Sequence, residues 1–188
     1  MGNFYVNYTV RGPSQQAVAT ALAGRSALVT PARAGCVVVF DEPSEEQAQE
    51  AIGELAARLA RQFLCPVLAV LNHDDDILWY QLYQSGALIG EYDSCPDYFD
   101  PEADPAGPLG GDAQKLCDAF GVGCVAEVEL VLRKADLDED GYTFEVERHA
   151  ELARLLGIPA FGVGAGYNYV SQGKLPDGLN ADNLIRVV

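Results

Sequence analysis

Apolar and polar side chains alternate over residues 3–10 (NFYVNYTV), the period of two that places successive side chains on opposite faces of a strand. Turn formers follow, with Ser14 as a helix N-cap and Ala17, Val18, Ala21 and Leu22 as a short apolar helical stripe. Residues 26–30 (SALVT) and 35–40 (GCVVVF) read as two strands joined by a turn, the second apolar enough to be central. The clearest helix spans residues 44–64. Ser44 and Gln47 have capping-box spacing, and Ala48, Ile52, Leu55, Ala56, Leu59 and Phe63 recur on one face. Glu45, Glu46 and Glu50 lie early in it and Arg58 and Arg61 late, which suits the helix dipole. Pro66 ends it, and VLAVL, residues 67–71, returns as a strand.

The order strand, helix, strand, strand, helix, strand is that of a ferredoxin-like split βαβ unit, so the fold class expected is α+β. A hairpin over residues 77–92, turning at Ser85-Gly86, extends the sheet. Residues 96–111 carry Pro96, Pro101, Pro105 and Pro108 among acidic residues, which rules out a regular helix or a central strand and predicts an excursion. Three short helices follow, in DAQKLCDAF, VAEVELVLRKA and EVERHAELARLLG, and then a Gly-rich tail of turns with a short terminal strand. The expected organisation is a core over residues 1–95, the excursion over 96–111, and a smaller helical subregion over 112–188 packed on that core.

Charge changes the picture more than composition does. The chain carries 28 acidic and 12 basic side chains, a net charge of -16, which repels phosphate backbones and anionic membrane surfaces. No nucleic acid and no membrane are therefore expected as partners, and a basic protein is. Five cysteines, an odd number without C-x-x-C spacing, fit reduced thiols. Together with the lack of a basic-then-apolar start, they predict a soluble, cytoplasmic protein.

Candidate chemistry is sparse. Asp136, Asp138 and Asp140 alternate, Gly141 follows, and Glu147 is twelfth, so DLDEDGYTFEVE resembles the calcium loop of the EF-hand family. The resemblance implies a weak Ca2+ site formed by Asp136, Asp138, Asp140, the backbone carbonyl of Tyr142, and Glu147. Thr143 and Phe144 depart from the pattern, Phe144 offering no side-chain oxygen, and a solvated acidic connection is the competing reading. The run Asn72–Asp76 places His73 beside three aspartates, either a polar turn or the acidic loop of a metal-dependent or carboxylate-based enzyme. His149 in its helix reads as structural, and Gly162, Gly164 and Gly166 lack the spacing of a dinucleotide fingerprint. Trp79, Tyr83, Tyr98 and Phe99 belong to an aromatic stretch beside acidic loops, a composition suited to protein contact. The first functional expectation is accordingly an acidic protein-interaction or regulatory domain.

Overall fold

The computed structural model describes residues 2–99, 107–134 and 141–188. It is an α+β structure built on one open antiparallel sheet of eight strands, with six α-helices among the described residues. The strands are β1 (Tyr5–Arg11), β2 (Ala27–Val29), β3 (Cys36–Asp41), β4 (Pro66–His73), β5 (Ile77–Gln84), β6 (Ala87–Asp93), β7 (Leu109–Gly110) and β8 (Ile185–Val187). Their spatial order is β7-β6-β5-β4-β1-β3-β2-β8. The helices are α1 (Gln15–Ala21), α2 (Gln49–Phe63), α3 (Ala113–Phe120), α4 (Val125–Arg133), α5 (Glu145–Leu156) and α6 (Tyr167–Ser171). None among the described residues is long and apolar enough to cross a membrane.

The period-two pattern sorts the sheet into two faces, and both are covered. Val6, Tyr8 and Val10 of β1 face α1 and α2 together with Val37, Val39, Val67, Ala69 and Leu71. On the reverse face, Leu68 and Val70 of β4 and Leu78, Tyr80 and Leu82 of β5 pack against α3, α4 and α5. Leu28, Val38 and Phe40 cover the same face further along, against Phe161, Tyr167 and Val170. The helices after residue 112 thus form a second layer on the sheet, and β8 returns to pair with β2 at its edge.

The start of α2 differs from its sequence signal. Pro43–Glu46 make one 3-10 turn, Gln47 is left-handed at φ 58°, and the helix begins at Gln49 with Ala48 as its cap. Ser44 does not cap because Asp41 engages it. The Ser44 hydroxyl donates to Asp41 Oδ2 at 2.6 Å, so the buried Tyr8 hydroxyl at 2.6 Å donates to Ser44. Arg25 grips the same carboxylate through two bonds of 2.7 Å.

The second layer holds an ion pair in which both members are buried. Arg148, 0% exposed, pairs with Glu145 one turn earlier at 2.8 Å and donates to the carbonyls of Val131 and Lys134 at the end of α4. One guanidinium therefore satisfies both a buried carboxylate and the last carbonyls of a neighbouring helix, which otherwise have no helical partner. Truncating one member of such a pair strands the other charge. Arg148→Met is expected to lower unfolding free energy by about 3–5 kcal/mol in urea denaturation, and a loss under about 1 kcal/mol would show the pair to be dispensable.

His149 lies next to that pair, stacked on Tyr5 with the Tyr5 hydroxyl 2.8 Å from its Nδ1. Burial disfavours the imidazolium and brings its pKa from 6.5 down to about 4. The unfolded chain then takes up the proton first as pH falls. The contribution is complete above pH 6.5 and is lost between pH 6.5 and about 4, an amount of at most about 3 kcal/mol. His149→Gln, which keeps an acceptor for Tyr5, is expected to remove that pH dependence. The measurement is the difference in urea stability between pH 7 and pH 4.5, wild type against variant, and parallel losses in both would refute it.

Candidate functional site

One end of the sheet gathers polar and aromatic groups from four separate parts of the chain: the first residues, the 3-10 turn before α2, the β4–β5 turn, and the segment after β6. A cleft of about 530 Å³ opens there on the α2 side. Leu71 and Ile77 form its buried apolar lining, Glu46, Gln47 and Gln49 line it from the approach to α2, and Asp93, Cys95 and Pro96 line it from the end of β6. His73 and Phe99 complete it.

His73 is the best-positioned group in the cleft. Gln47 donates its amide nitrogen to the Asn72 carbonyl at 2.8 Å, which fixes its Oε1 as the atom 2.6 Å from His73 Nδ1. Nδ1 must therefore carry the proton in the neutral ring, and Nε2 carries the lone pair. Nε2 makes no hydrogen bond among the described residues. Aromatic edges surround the ring: Phe4 at 4.8 Å, Phe99 at 5.4 Å and Tyr98 at 6.0 Å, with Tyr98 and Phe99 also packed edge-to-face. Phe99 is 75% exposed and Phe4 52%, so this cluster is an apolar rim on an acidic protein.

The three aspartates after His73 are committed to local architecture. Asp74 and Asp75 both have positive φ, the backbone that matches the twist of a tight hairpin, and Asp76 N donates to the His73 carbonyl. Asp74 Oδ1 accepts the Gly2 amide at 2.7 Å, and Asp75 accepts both the backbone and the side-chain amide of Asn3. A Cβ on Gly2 would overlap the Asp74 carbonyl, so only glycine permits this approach. Asp76 accepts the Tyr98 hydroxyl at 2.9 Å and holds its proton, which raises the phenol. The expected polar turn is present, and it anchors Gly2 and Asn3 and sets Tyr98 beside His73.

Asp93 is more weakly served. It accepts the Cys95 amide at 3.0 Å, and burial pushes its carboxyl upward, that hydrogen bond opposing and the nearby Asp97 charge adding to the rise. Among the described residues no group of three His, Cys, Asp or Glu side chains lies close enough to hold a metal ion.

The aromatic set expected to make protein contact divides. Trp79, 5% exposed, and Tyr83, 8% exposed, belong to the core beneath α2, because odd-numbered residues of β5 face that helix. They share one face of the strand, and α2 covers that face. Tyr98 and Phe99 remain at the surface, joined by Phe4. Of the expected calcium ligands, Asp136, Asp138 and Asp140 lie outside the described residues. Tyr142 donates its hydroxyl to Glu151, and Glu147, at the third position of α5, accepts the Phe144 amide at 3.3 Å. Phe144 has no side-chain acceptor to return that bond, so Glu147 serves as the reciprocal half of a cap.

Sequence reasoning did not single out Glu46, Gln47, Asp93 or Phe4 for this site. Their only signals were local: Gln47 was counted toward a capping box, and Asp93 falls in the dense polar run EYDSCPD after the hairpin. No protein-family model, no curated protein and no solved structure matches the chain.

Loss of the Gln47 side chain removes the group that sets the His73 tautomer. In wild type, long-range nitrogen–proton correlation at pH 8 is expected to show one neutral tautomer with the proton on Nδ1. Gln47→Ala is expected to show exchange between both tautomers. A mixture already present in wild type would contradict the assignment.

Proposed function

We propose that this chain is an acidic protein-interaction domain that binds a basic segment of a partner through the aromatic, carboxylate-lined end of its sheet. The observation that carries the reading is the cluster of Phe4, Tyr98 and Phe99 around His73, exposed to solvent and bordered by acidic side chains, with no lysine or arginine lining the adjoining cleft among the described residues. Large aromatic groups left at the surface supply contact area at low conformational cost, and surrounding carboxylates steer a cationic partner toward them. The net charge of -16 extends that attraction beyond contact range.

Within the sheet we infer a ferredoxin-like split βαβ unit made of β1, α1, β2, β3, α2 and β4. Its support is the antiparallel order β4-β1-β3-β2, with α1 and α2 on one face. The β5–β6 hairpin extends this unit and carries Asp93 to the cleft.

A second reading, an enzyme using His73 and the carboxylates of the same cleft, is favoured by one observation: the lone pair of His73 is fixed on Nε2 by Gln47, as a general base requires. A mixed tautomer in wild-type protein would remove that support.

The interaction reading is tested with a fluorescent lysine- and arginine-rich peptide titrated against the protein. Binding is expected at low salt, weakening as the Debye length falls from about 10 Å at 0.1 M to about 3 Å at 1 M. Phe99→Ala is expected to weaken binding about tenfold, with no change in melting temperature because that ring is mostly outside the fold. Absence of binding at low salt would end this reading.

A further inference from the structure

Resting on the interaction reading, we propose that the cleft between the start of α2 and the end of β6 receives the guanidinium of one arginine side chain from the partner. Two carboxylates and one imidazole nitrogen supply the cleft with acceptors, and no lysine or arginine lines it among the described residues. Asp93 and Glu46 contribute carboxylates, and His73 offers the lone pair that Gln47 leaves on Nε2. The Phe99 ring stands beside them, and Leu71 and Ile77 close the apolar side. A ligand for this lining must bring donors and positive charge, and must tolerate a partly apolar wall.

The shape of the acceptor set favours arginine over lysine. A guanidinium is planar, carries five N–H donors in fixed directions, is weakly hydrated, and stacks on aromatic faces. It can therefore bond a carboxylate and a second acceptor while one face covers Phe99. An ammonium is a compact, strongly hydrated charge, and the Leu71–Ile77 wall offers it nothing in exchange for its water. The start of α2 also borders the cleft, and its partial positive charge opposes a cation. That charge is only about half an elementary unit, whereas Glu46 and Asp93 each bring a carboxylate to the cleft. The balance at the cleft stays negative. The upward push of burial on Asp93 fits a carboxyl that lacks a cation beside it. The cleft volume, about 530 Å³, leaves room for a guanidinium together with part of its aliphatic stem.

The experiment uses the whole chain and a short lysine-rich peptide with one central arginine, beside a twin carrying citrulline in that place. Citrulline keeps the shape and removes the charge. The arginine peptide is expected to bind about tenfold more tightly than its twin, and a lysine twin is expected to fall between them. Asp93→Asn keeps the acceptor for the Cys95 amide, and it should reduce the arginine–citrulline difference to about twofold or less. Glu46→Gln repeats the test in case Asp93→Asn melts early. Equal binding of the arginine and citrulline twins overturns the proposal and leaves the surface reading standing. If no basic peptide binds, the surface reading fails, and titration with methylguanidinium chloride decides the cleft. NMR shifts centred on His73, Asp93 and Phe99 then support it, and unmoved resonances there overturn it.

Discussion

Burial of both faces of a single sheet is the constraint on which the other features depend. Along β1, Val6, Tyr8 and Val10 go to one core while Tyr5, Asn7 and Thr9 go to the other side. A slip of one residue in pairing would exchange the two sets and bring Asn7 and Thr9 under the apolar face of α2. The ladder that prevents it is long: Tyr5 to Val10 pair with Asn72 to Val67, and Tyr8 to Arg11 pair with Val39 to Cys36. Neither layer of helices is optional in such a fold, because a strand like β4, apolar on both sides, has no face suited to water.

The two layers satisfy that constraint differently. The α1–α2 side is a continuous apolar core, dominated by Val, Leu, Ile and Ala. The opposite side buries polar groups and pairs several of them with distant parts of the chain. Asn7 donates to the carbonyls of Gly162 and Ala165, which ties the Gly-rich stretch to the central strand. Tyr5 meets His149, and Arg148 joins α5 to the end of α4. Glu45 reaches from before α2 to the start of α6, where it accepts the Tyr167 amide at 2.9 Å. A buried polar group tolerates few arrangements, so these bonds restrict how the second layer can dock. Hydrophobic contact alone would leave several docking positions close in energy.

The parts of the fold legible in the sequence are those whose cause is local. The β5–β6 hairpin shows as period-two alternation around Ser85-Gly86, and β3 as an apolar run, because strand geometry and turn chemistry act over a few residues. The start of α2 was misplaced because Ser44 is claimed by Asp41 and Tyr8, the latter far away in sequence. Trp79 and Tyr83 show the same limit from the other direction. The strand was readable, but whether either face met solvent depended on helices outside the hairpin, one ending at Phe63 and the next beginning at Ala113. The cleft was less legible still. Glu46, His73 and Asp93 lie on three different elements, and no spacing rule connects residues that meet only because β4, β5 and β6 end beside one helix.

Backbone strain is concentrated at that same end. Among the described residues six non-glycine residues have positive φ, and three of them, Gln47, Asp74 and Asp75, lie within two residues of His73 or in contact with it. Aspartate tolerates this conformation better than most residues, and Asp74 and Asp75 use their side chains to hold Gly2 and Asn3 from the distant start of the chain. Glutamine has no such excuse, and its left-handed backbone costs on the order of 1 kcal/mol. What it obtains is position. From that backbone its two amide atoms reach the Asn72 carbonyl and the His73 ring together. Two hydrogen bonds, at about 1 kcal/mol net each, are enough to offset the strain, so Gln47 need not destabilise the fold. The consequence is a histidine of one tautomer at the edge of an acceptor-lined cleft, set before any partner arrives. Under the interaction reading proposed above, a site held in this way loses little entropy on binding, because its groups are ordered beforehand.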